Sequence, residues 1–211
     1  MNNLADLPKW LPDPDRLQSL MRSLAVLDAL LCPEWEFRLY AFDSSWGDGE
    51  TMGSIRDGAG ACVFVVFRNG GAFFRAVHPA LENGEAAAGR NRLPDEFTAL
   101  SREPAFYQDM GAVEAWWSDK GGRWTLASLG ARDHTILRPL DELCACLDGD
   151  PETYRRFAST YFERDIDRGA IADVYAGHPV TLDFLDRMKL PGISEDQREE
   201  LIRTGHPVQI R

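Results

Sequence analysis

One stretch of the chain, residues 43–60, concentrates side chains that could bind a ligand. Its four carboxylates and one arginine are Asp43, Asp48, Glu50, Arg56 and Asp57. Carboxylates bind cations and basic groups, and the arginine fork binds carboxylates and phosphates through paired hydrogen bonds. Five glycines in the same stretch let the main chain bend around a bound group. Residues 43–60 are therefore the first candidate for a binding site.

The spacing within this stretch excludes two common ion-binding loops. An EF-hand calcium loop starting at Asp43 would need an oxygen ligand at its fifth position and a glutamate at its twelfth, where the chain has Gly47 and Ser54. A P-loop ends in Lys-Ser or Lys-Thr, and residues 43–60 contain no lysine. Neither calcium nor a nucleotide phosphate is therefore predicted here.

Two interpretations of residues 43–60 stay open. In the first, the stretch is a long polar loop that only connects two strands, with Asp57 capping a turn and Arg56 pairing with Asp57 or Glu50. In the second, the loop is a recognition surface on which Trp46 is an exposed apolar anchor within an acidic rim. The burial of Trp46 and the partners of Arg56 distinguish the two.

The histidines and cysteines do not form a catalytic or metal-binding motif. None of the four histidines lies three or four residues from another histidine or from a cysteine, which is the spacing of a local zinc site. A nucleophilic pair of Cys62 and His78 would need an acid to orient the histidine, and Cys62 lies within an apolar strand. The chain also lacks the Gly-x-Ser-x-Gly, His-Glu-x-x-His and Walker motifs. No catalytic residue, metal or cofactor is predicted.

Composition limits the class of partner. The 211 residues carry a formal net charge of -11, with a pI near 4.8. A field of that sign repels nucleic-acid phosphates and attracts basic proteins or cations, and it also keeps a protein soluble. The chain has no signal-peptide pattern and no window of about 18 apolar residues, so no membrane span is predicted. Four scattered cysteines in apolar surroundings indicate reduced thiols in the cytoplasm.

Hydrophobic periodicity predicts the elements that precede the candidate stretch. Residues 1–14 are expected to form an irregular arm, because three prolines interrupt them. Apolar residues at three- and four-residue spacings predict a helix over residues 15–31. Alternation then predicts a strand over residues 34–42, with Trp35 and Phe37 on its buried face.

Two hairpins and a helical region are predicted to follow. The apolar run 61–67 and the strand 72–77 flank Asn-Gly-Gly, which tolerates the positive φ that tight turns need. Residues 112–117 and 123–128 flank a second glycine-containing turn. From residue 137 onward the pattern becomes helical.

The order of these elements predicts a single α+β domain. Strands fall in residues 1–136 and helices dominate residues 137–211, where Asp150, Thr181 and Ser194 are suited to cap helices. This segregation argues against alternating βαβ units. We expect an antiparallel sheet of about five strands, with the N-terminal helix on one face and the helical C-terminal third on the other side or at an edge.

Three segments carry a resemblance to a known family. They are LDALLCPEWEFRLY at 27–40 with the following residues 42–46, MGSIRDGAG at 52–60, and PETYRRF at 151–157 with the residues up to 167. These segments resemble an uncharacterised family of bacterial cytoplasmic proteins, a resemblance that spans most of the chain and implies no reaction or ligand. In size, acidity and α+β build the chain is also similar to toxin-immunity proteins and to the small acidic proteins of the cell-wall-regulator superfamily. That similarity implies inhibition of a partner protein.

Together these observations favour a non-enzymatic, cytoplasmic protein-binding module of immunity or inhibitor type. An acidic surface with Trp46 as anchor, and with Asp48 and Glu50 as flanking charges, would cover a basic partner protein. The alternative is a small-ligand-binding protein or an enzyme. Its pocket would lie between the candidate stretch and His78, with Arg56 holding an anionic group.

Overall fold

The computed structural model of the chain describes residues 4–68, 71–81, 93–107, 111–118, 122–129 and 134–210. These residues form an α+β fold around a six-stranded antiparallel sheet, in which each strand pairs with the next one along the chain. In order, the strands are β1 (Tyr40–Gly47), β2 (Glu50–Arg56), β3 (Cys62–Arg68), β4 (Gly71–Val77), β5 (Ala112–Ser118) and β6 (Arg123–Leu129).

Eight α-helices accompany the sheet in the described residues. They are α1 (Leu7–Trp10), α2 (Pro14–Leu31), α3 (Asp95–Thr98), α4 (His134–Leu143), α5 (Pro151–Tyr161), α6 (Arg168–Tyr175), α7 (Leu182–Arg187) and α8 (Glu195–Thr204). Across the described ranges, every helix is too short or too polar to span a lipid bilayer.

Helix α2 organises the larger core, which covers one face of the sheet. Asp13 caps the helix by accepting a hydrogen bond from Arg16 N (3.0 Å). Its apolar side chains are buried, Leu17 and Leu24 completely, and each buried leucine contributes roughly 1.5–3 kcal/mol. Helices α5 to α8 pack in the same core, and α8 also contacts β1 at the sheet edge. The C-terminal helices therefore lie on the α2 side of the sheet and at its β1 edge.

A smaller core covers part of the opposite face, called here the second face. Residues 93–107 pack there, with the Phe106 ring stacked on Phe64 at 4.7 Å between centroids. Beneath them, the fully buried side chains of Arg75 and Glu114 form an ion pair between β4 and β5. Arg75 also donates from Nε to the Phe106 carbonyl oxygen (3.1 Å). Beside this segment, the second face of β1 and β2 opens into a groove.

Residues 43–60 are not a loop, contrary to the prediction. They complete β1, turn at Asp48-Gly49 and form all of β2 before a second turn at residues 57–60. Gly53 explains the difference, because a Cβ at this position would lie 2.6 Å from Met21 Cε. This glycine permits the close approach of α2 to β2 and does not bend the chain. The additional hairpin brings the sheet to six strands.

The first strand begins later than predicted. The first half of the strand predicted over residues 34–42 is wrong, because Trp35–Phe37 is an exposed 3-10 turn and β1 starts at Tyr40. Tyr40 and Phe42 are the side chains that face the core. Asp28 Oδ2 fixes this start by accepting hydrogen bonds from Tyr40 N (3.0 Å) and from the N–H of the residue before it (2.8 Å). This tether to α2 leaves the preceding residues outside the sheet.

The remaining elements agree closely with the periodicity. The helix over residues 15–31 is confirmed, and so are both later hairpins. Their turn residues at 69–70 and 119–121 lie outside the described residues. The N-terminal arm is more regular than predicted, since it contains a 3-10 turn and α1 with Leu4 and Leu7 fully buried.

The helix caps in the C-terminal region are also confirmed. Asp150 and Thr181 each accept a hydrogen bond from a main-chain N–H in the first turn of α5 and α7. Ser194 and Gln197 form a reciprocal capping box at the start of α8. Gly205 ends that helix with φ +69, in the left-handed conformation that glycine adopts without strain.

Candidate functional site

A groove of about 980 Å³ runs along the outer edge of β1. Strands β1 and β2 form its floor with residues of the second face, among them Ala41, Asp43 and Arg56. The turn Trp35–Phe37 and helix α8 form its walls, and Tyr161 at the end of α5 adds to them. This volume lies at the upper end of the range for small-molecule pockets, which is about 300–1,000 Å³.

Two aromatic side chains stand exposed on one wall of the groove. Trp35 is 70% exposed and Phe37 is 57% exposed, although such residues are usually well buried. Arg38 holds their turn in place, because its Nε and Nη2 donate to the carbonyl oxygens of residues 32–33, both at 2.7 Å. The Tyr161 hydroxyl donates to the Phe37 carbonyl oxygen (3.0 Å). The two rings are therefore carried by a main chain that is fixed at several points.

Carboxylates outnumber arginines around the groove. The six carboxylates are Glu36, Asp43, Asp57, Asp196, Glu199 and Glu200, and the three arginines are Arg38, Arg56 and Arg203. One of these charges is already partly balanced, since Arg38 Nη1 lies 3.9 Å from Glu200 Oε2. Among the described residues, these carboxylates do not cluster as metal ligands. Acidic groups beside exposed rings suit a cationic ligand.

Asp28 supports the groove from beneath. Its carboxylate is fully buried and accepts hydrogen bonds from the start of β1 and from the Tyr154 hydroxyl on α5 (2.8 Å). Burial raises the pKa of Asp28 to about 6, although these hydrogen bonds and the charge of Arg38 act in the opposite direction. The Asp28 carboxylate therefore ties α2, β1 and α5 together where the groove begins.

Three of the six predicted site residues line the groove. The Trp46 ring is half-buried and stacks on Phe106, with 6.0 Å between centroids. Arg56 places its guanidinium carbon 6.0 Å from the Phe64 ring centroid, and no salt bridge of the described residues includes it. Asp57 Oδ1 accepts two main-chain N–H groups of the turn that follows it, at 2.7 and 2.9 Å. Trp46 and Asp57 thus support the fold, whereas Arg56 faces the groove without a carboxylate partner.

The other three predicted site residues lie away from the groove. Asp48 is exposed at the tip of the β1–β2 hairpin, and Glu50 forms a salt bridge with Arg68 (3.3 Å). His78 follows β4, where its Nδ1 accepts a hydrogen bond from the N–H two residues later (3.1 Å). Since Arg56 lies on β2, strand β3 separates it from the strand that leads to His78.

Sequence reasoning missed the walls of the groove. Trp35 and Phe37 alternate with charged residues, which is the pattern of a half-buried strand, so their exposure was not visible. Tyr161 and Glu199 are far from β1 in the sequence and reach it only through the packing of α5 and α8. The one local signal is Pro33, because a chain that leaves a helix through proline has to turn before it enters a sheet.

Comparisons of this chain with protein-family models, with curated proteins and with solved structures gave no match. A function therefore has to be inferred from the groove itself.

Proposed function

We propose that this chain is a non-enzymatic, cytoplasmic protein-binding module of immunity or inhibitor type, which holds a basic surface of another protein in the groove. The observation that carries this proposal is the pair of exposed rings, Trp35 and Phe37, beside the carboxylates of α8. Lysine and arginine side chains bind such a combination through cation–π contacts and ion pairs. Aromatic residues are also frequent anchors of protein interfaces.

The charge of the whole chain supports the same class of partner. A net charge of -11 attracts a basic protein over several ångströms and speeds association at low salt. Once bound, the partner's basic site would be covered by α8 and the turn Trp35–Phe37, so inhibition would need no chemical step. The four cysteines are buried thiols, as expected in a reducing compartment.

A small ligand with an anionic group is the second candidate. Arg56 and Arg203 both line the groove, and neither forms a salt bridge among the described residues. Two such guanidinium groups would bind a carboxylate or phosphate. The pocket would then be the groove itself, and His78 would have no part in it.

Binding of charged peptides tests the first proposal against the second. The probe is a fluorescein-labelled, end-capped hexapeptide that alternates lysine and valine, and its counterpart carries glutamate in place of lysine. We expect the lysine peptide to bind more tightly, with an affinity that falls as salt is added, because surface charges are screened. Fluorescence anisotropy measures both dissociation constants.

Matched charge reversals locate the binding site. Glu199→Lys, in the groove wall, should weaken binding of the lysine peptide by about threefold to tenfold. Asp186→Lys makes the same change of charge at an exposed position outside the groove and should have a much smaller effect. Equal effects of the two variants would contradict the proposal. Tighter binding of the glutamate peptide, lost in Arg56→Gln, would support the anionic ligand instead.

A further inference from the structure

Arg56 lies exposed on the floor of the groove, where its guanidinium forms no salt bridge or hydrogen bond with another described residue. The two carboxylates that were expected to pair with it are engaged elsewhere. Glu50 forms its salt bridge with Arg68 (3.3 Å). Asp57 Oδ1 accepts two main-chain N–H groups of the turn that follows, at 2.7 and 2.9 Å. Because a guanidinium has five N–H donors, Arg56 can still bind an anionic group from outside the chain.

Two contacts hold Arg56 in place and leave these donors free. Its main-chain N donates to the Leu39 carbonyl oxygen (2.9 Å) beside the start of β1. Its guanidinium carbon lies 6.0 Å from the centroid of the Phe64 ring, which is itself stacked on Phe106. An arginine can contact a ring through its flat face and a carboxylate through its edge. A carboxylate bound here would therefore meet a side chain that is already partly ordered, which lowers the entropic cost of binding.

The other two arginines of the groove have structural partners. Arg38 donates to the carbonyl oxygens of residues 32–33 and lies beside Glu200. Arg203 lies in the last turn of α8, where a positive charge interacts favourably with the carbonyl end of the helix. Of the three lining arginines, Arg56 is therefore the one whose charge has no such role within the described part of the chain.

The carboxylates that remain available lie on the walls of the groove. Asp43, on the floor, also holds its own turn, because its Oδ1 accepts hydrogen bonds from Ser45 N (2.8 Å) and Ser45 Oγ (3.1 Å). Glu36, Asp196 and Glu199 are exposed on the walls and form no salt bridge or side-chain hydrogen bond with the residues that the structure describes. The groove thus offers a positive group on its floor and negative groups on its walls.

We propose that the basic segment held by the groove also carries a carboxylate, which pairs with Arg56 on the floor while lysine or arginine side chains of the same segment meet the carboxylates of the walls. This inference rests on the proposed function and specifies the chemistry of the partner. The carboxylate belongs either to an acidic side chain or to the C-terminus of the partner. Pairing with Arg56 would favour such a segment over a purely basic one, because a like charge placed beside Arg56 opposes binding.

Paired peptides test this inference. The probes are variants of the lysine–valine hexapeptide, with lysine as its first residue. Each lysine in turn is replaced by glutamate, and the reference peptide has glutamine at the same position. The lysine peptide with a free C-terminal carboxylate is likewise compared with its amide, which distinguishes a terminal carboxylate from an acidic side chain. In one of these comparisons we expect the carboxylate to strengthen binding by about threefold to tenfold, although the net charge of -11 repels it.

Matched variants assign the effect to Arg56. Arg56→Gln should reverse the preference, because only the repulsion by the acidic chain remains. Arg102→Gln makes the same change of charge at an exposed position outside the groove and should preserve the preference. Fluorescence anisotropy measures the dissociation constants. Their ratio within each pair of peptides is insensitive to a general loss of folded protein, since such a loss affects both peptides alike.

The outcomes separate this inference from the proposed function. If the lysine peptide binds in a way that depends on Glu199 while the carboxylate weakens binding in every comparison, the role of Arg56 is wrong and the acidic protein-binding groove remains. If the carboxylate strengthens binding equally in Arg56→Gln, another group holds it and this inference is overturned. If no peptide of the set binds, both proposals fail.

Discussion

Tyr154 donates a hydrogen bond of 2.8 Å to Asp28, although the two residues are 126 positions apart in the sequence. Both side chains are fully buried. The same carboxylate accepts the two N–H groups that open β1. Asp28 therefore links the helix that organises the core to the strand that forms the floor of the groove.

The first prediction concerns the pH dependence of stability. The pKa of Asp28 is raised from 3.8 in the unfolded chain to about 6 in the folded chain, so the folded state binds the proton more tightly. Stability from this residue is then fully present below pH 3.8 and is lost as the pH rises through about 6. At about 1.4 kcal/mol per pH unit, the loss amounts to about 3 kcal/mol.

The variant Asp28→Asn isolates this effect, because asparagine has nearly the same shape and does not titrate. The free energy of unfolding of the natural chain minus that of the variant, measured by urea denaturation from pH 4 to pH 8, should fall by about 2.5 kcal/mol, since part of the loss has already occurred at pH 4. A difference that stays flat with pH would show that Asp28 is ionised with an ordinary pKa.

The second prediction removes the donor that helps the carboxylate to ionise. Tyr154→Phe should destabilise the chain by about 1.5–3 kcal/mol at neutral pH, the usual effect for a hydrogen bond to a charged group. It should also move the titration of Asp28 to higher pH, since this bond favours the charged form. A stability loss without any shift of the titration would show that the Tyr154 hydroxyl does not favour the charged form of Asp28.

The third prediction tests the aromatic wall of the groove. Trp35→Ala should change the free energy of unfolding by less than about 0.5 kcal/mol, because the side chain is exposed. It should weaken binding of the lysine–valine peptide by at least about tenfold, as expected for an aromatic anchor. Leu182→Ala is the matched control, since Leu182 is 61% exposed and lies outside the groove. Equal peptide affinities of the two variants would contradict the anchoring role.

The sequence predicted those elements that depend on interactions between residues close together in the chain. The helix over residues 15–31 and the later hairpins follow from periodicity and turn residues, which act between neighbours. Residues 43–60 were wrongly predicted as a loop, because glycine occurs both in flexible loops and where two elements pack closely together. Gly53 looks like a loop residue, but it is needed for the contact with Met21, more than thirty residues earlier.

Only part of the groove could be predicted from the sequence, for the same reason. Its floor residue Arg56 was identified, since it lies in the stretch with the most charged and flexible composition. Its walls come from Trp35, whose exposure depends on the tether at Asp28, and from α8, whose position depends on packing against α2. Such contacts between distant segments produce no hydrophobic periodicity in the sequence around Trp35 or α8.

The fourth prediction examines the contact of Gly53 with Met21. Gly53→Ala should destabilise the chain by about 1–3 kcal/mol, because the added methyl group overpacks the space beside α2. A Met21→Ala background removes the Sδ and Cε atoms and leaves only the Cβ contact of 3.1 Å, so the same substitution should cost at least about 1 kcal/mol less. Urea denaturation of the four chains in this cycle gives the coupling. Additive effects would mean that Gly53 is needed for some other reason.

The last prediction concerns the buried ion pair of Arg75 and Glu114, which supports the segment over the second face. Loss of one member of such a pair costs about 3–5 kcal/mol, because the remaining charge stays buried. Arg75→Met should cost more than Glu114→Gln, since Arg75 also donates to the carbonyl oxygens of Phe106 (3.1 Å) and Tyr107 (3.4 Å). These bonds hold residues 93–107 on the sheet, so Arg75→Met should in addition speed amide exchange throughout that segment. If Glu114→Gln were the more damaging variant, or if exchange in residues 93–107 were unchanged in Arg75→Met, the ion pair would stabilise only β4 and β5, and the segment would be held by its aromatic contacts.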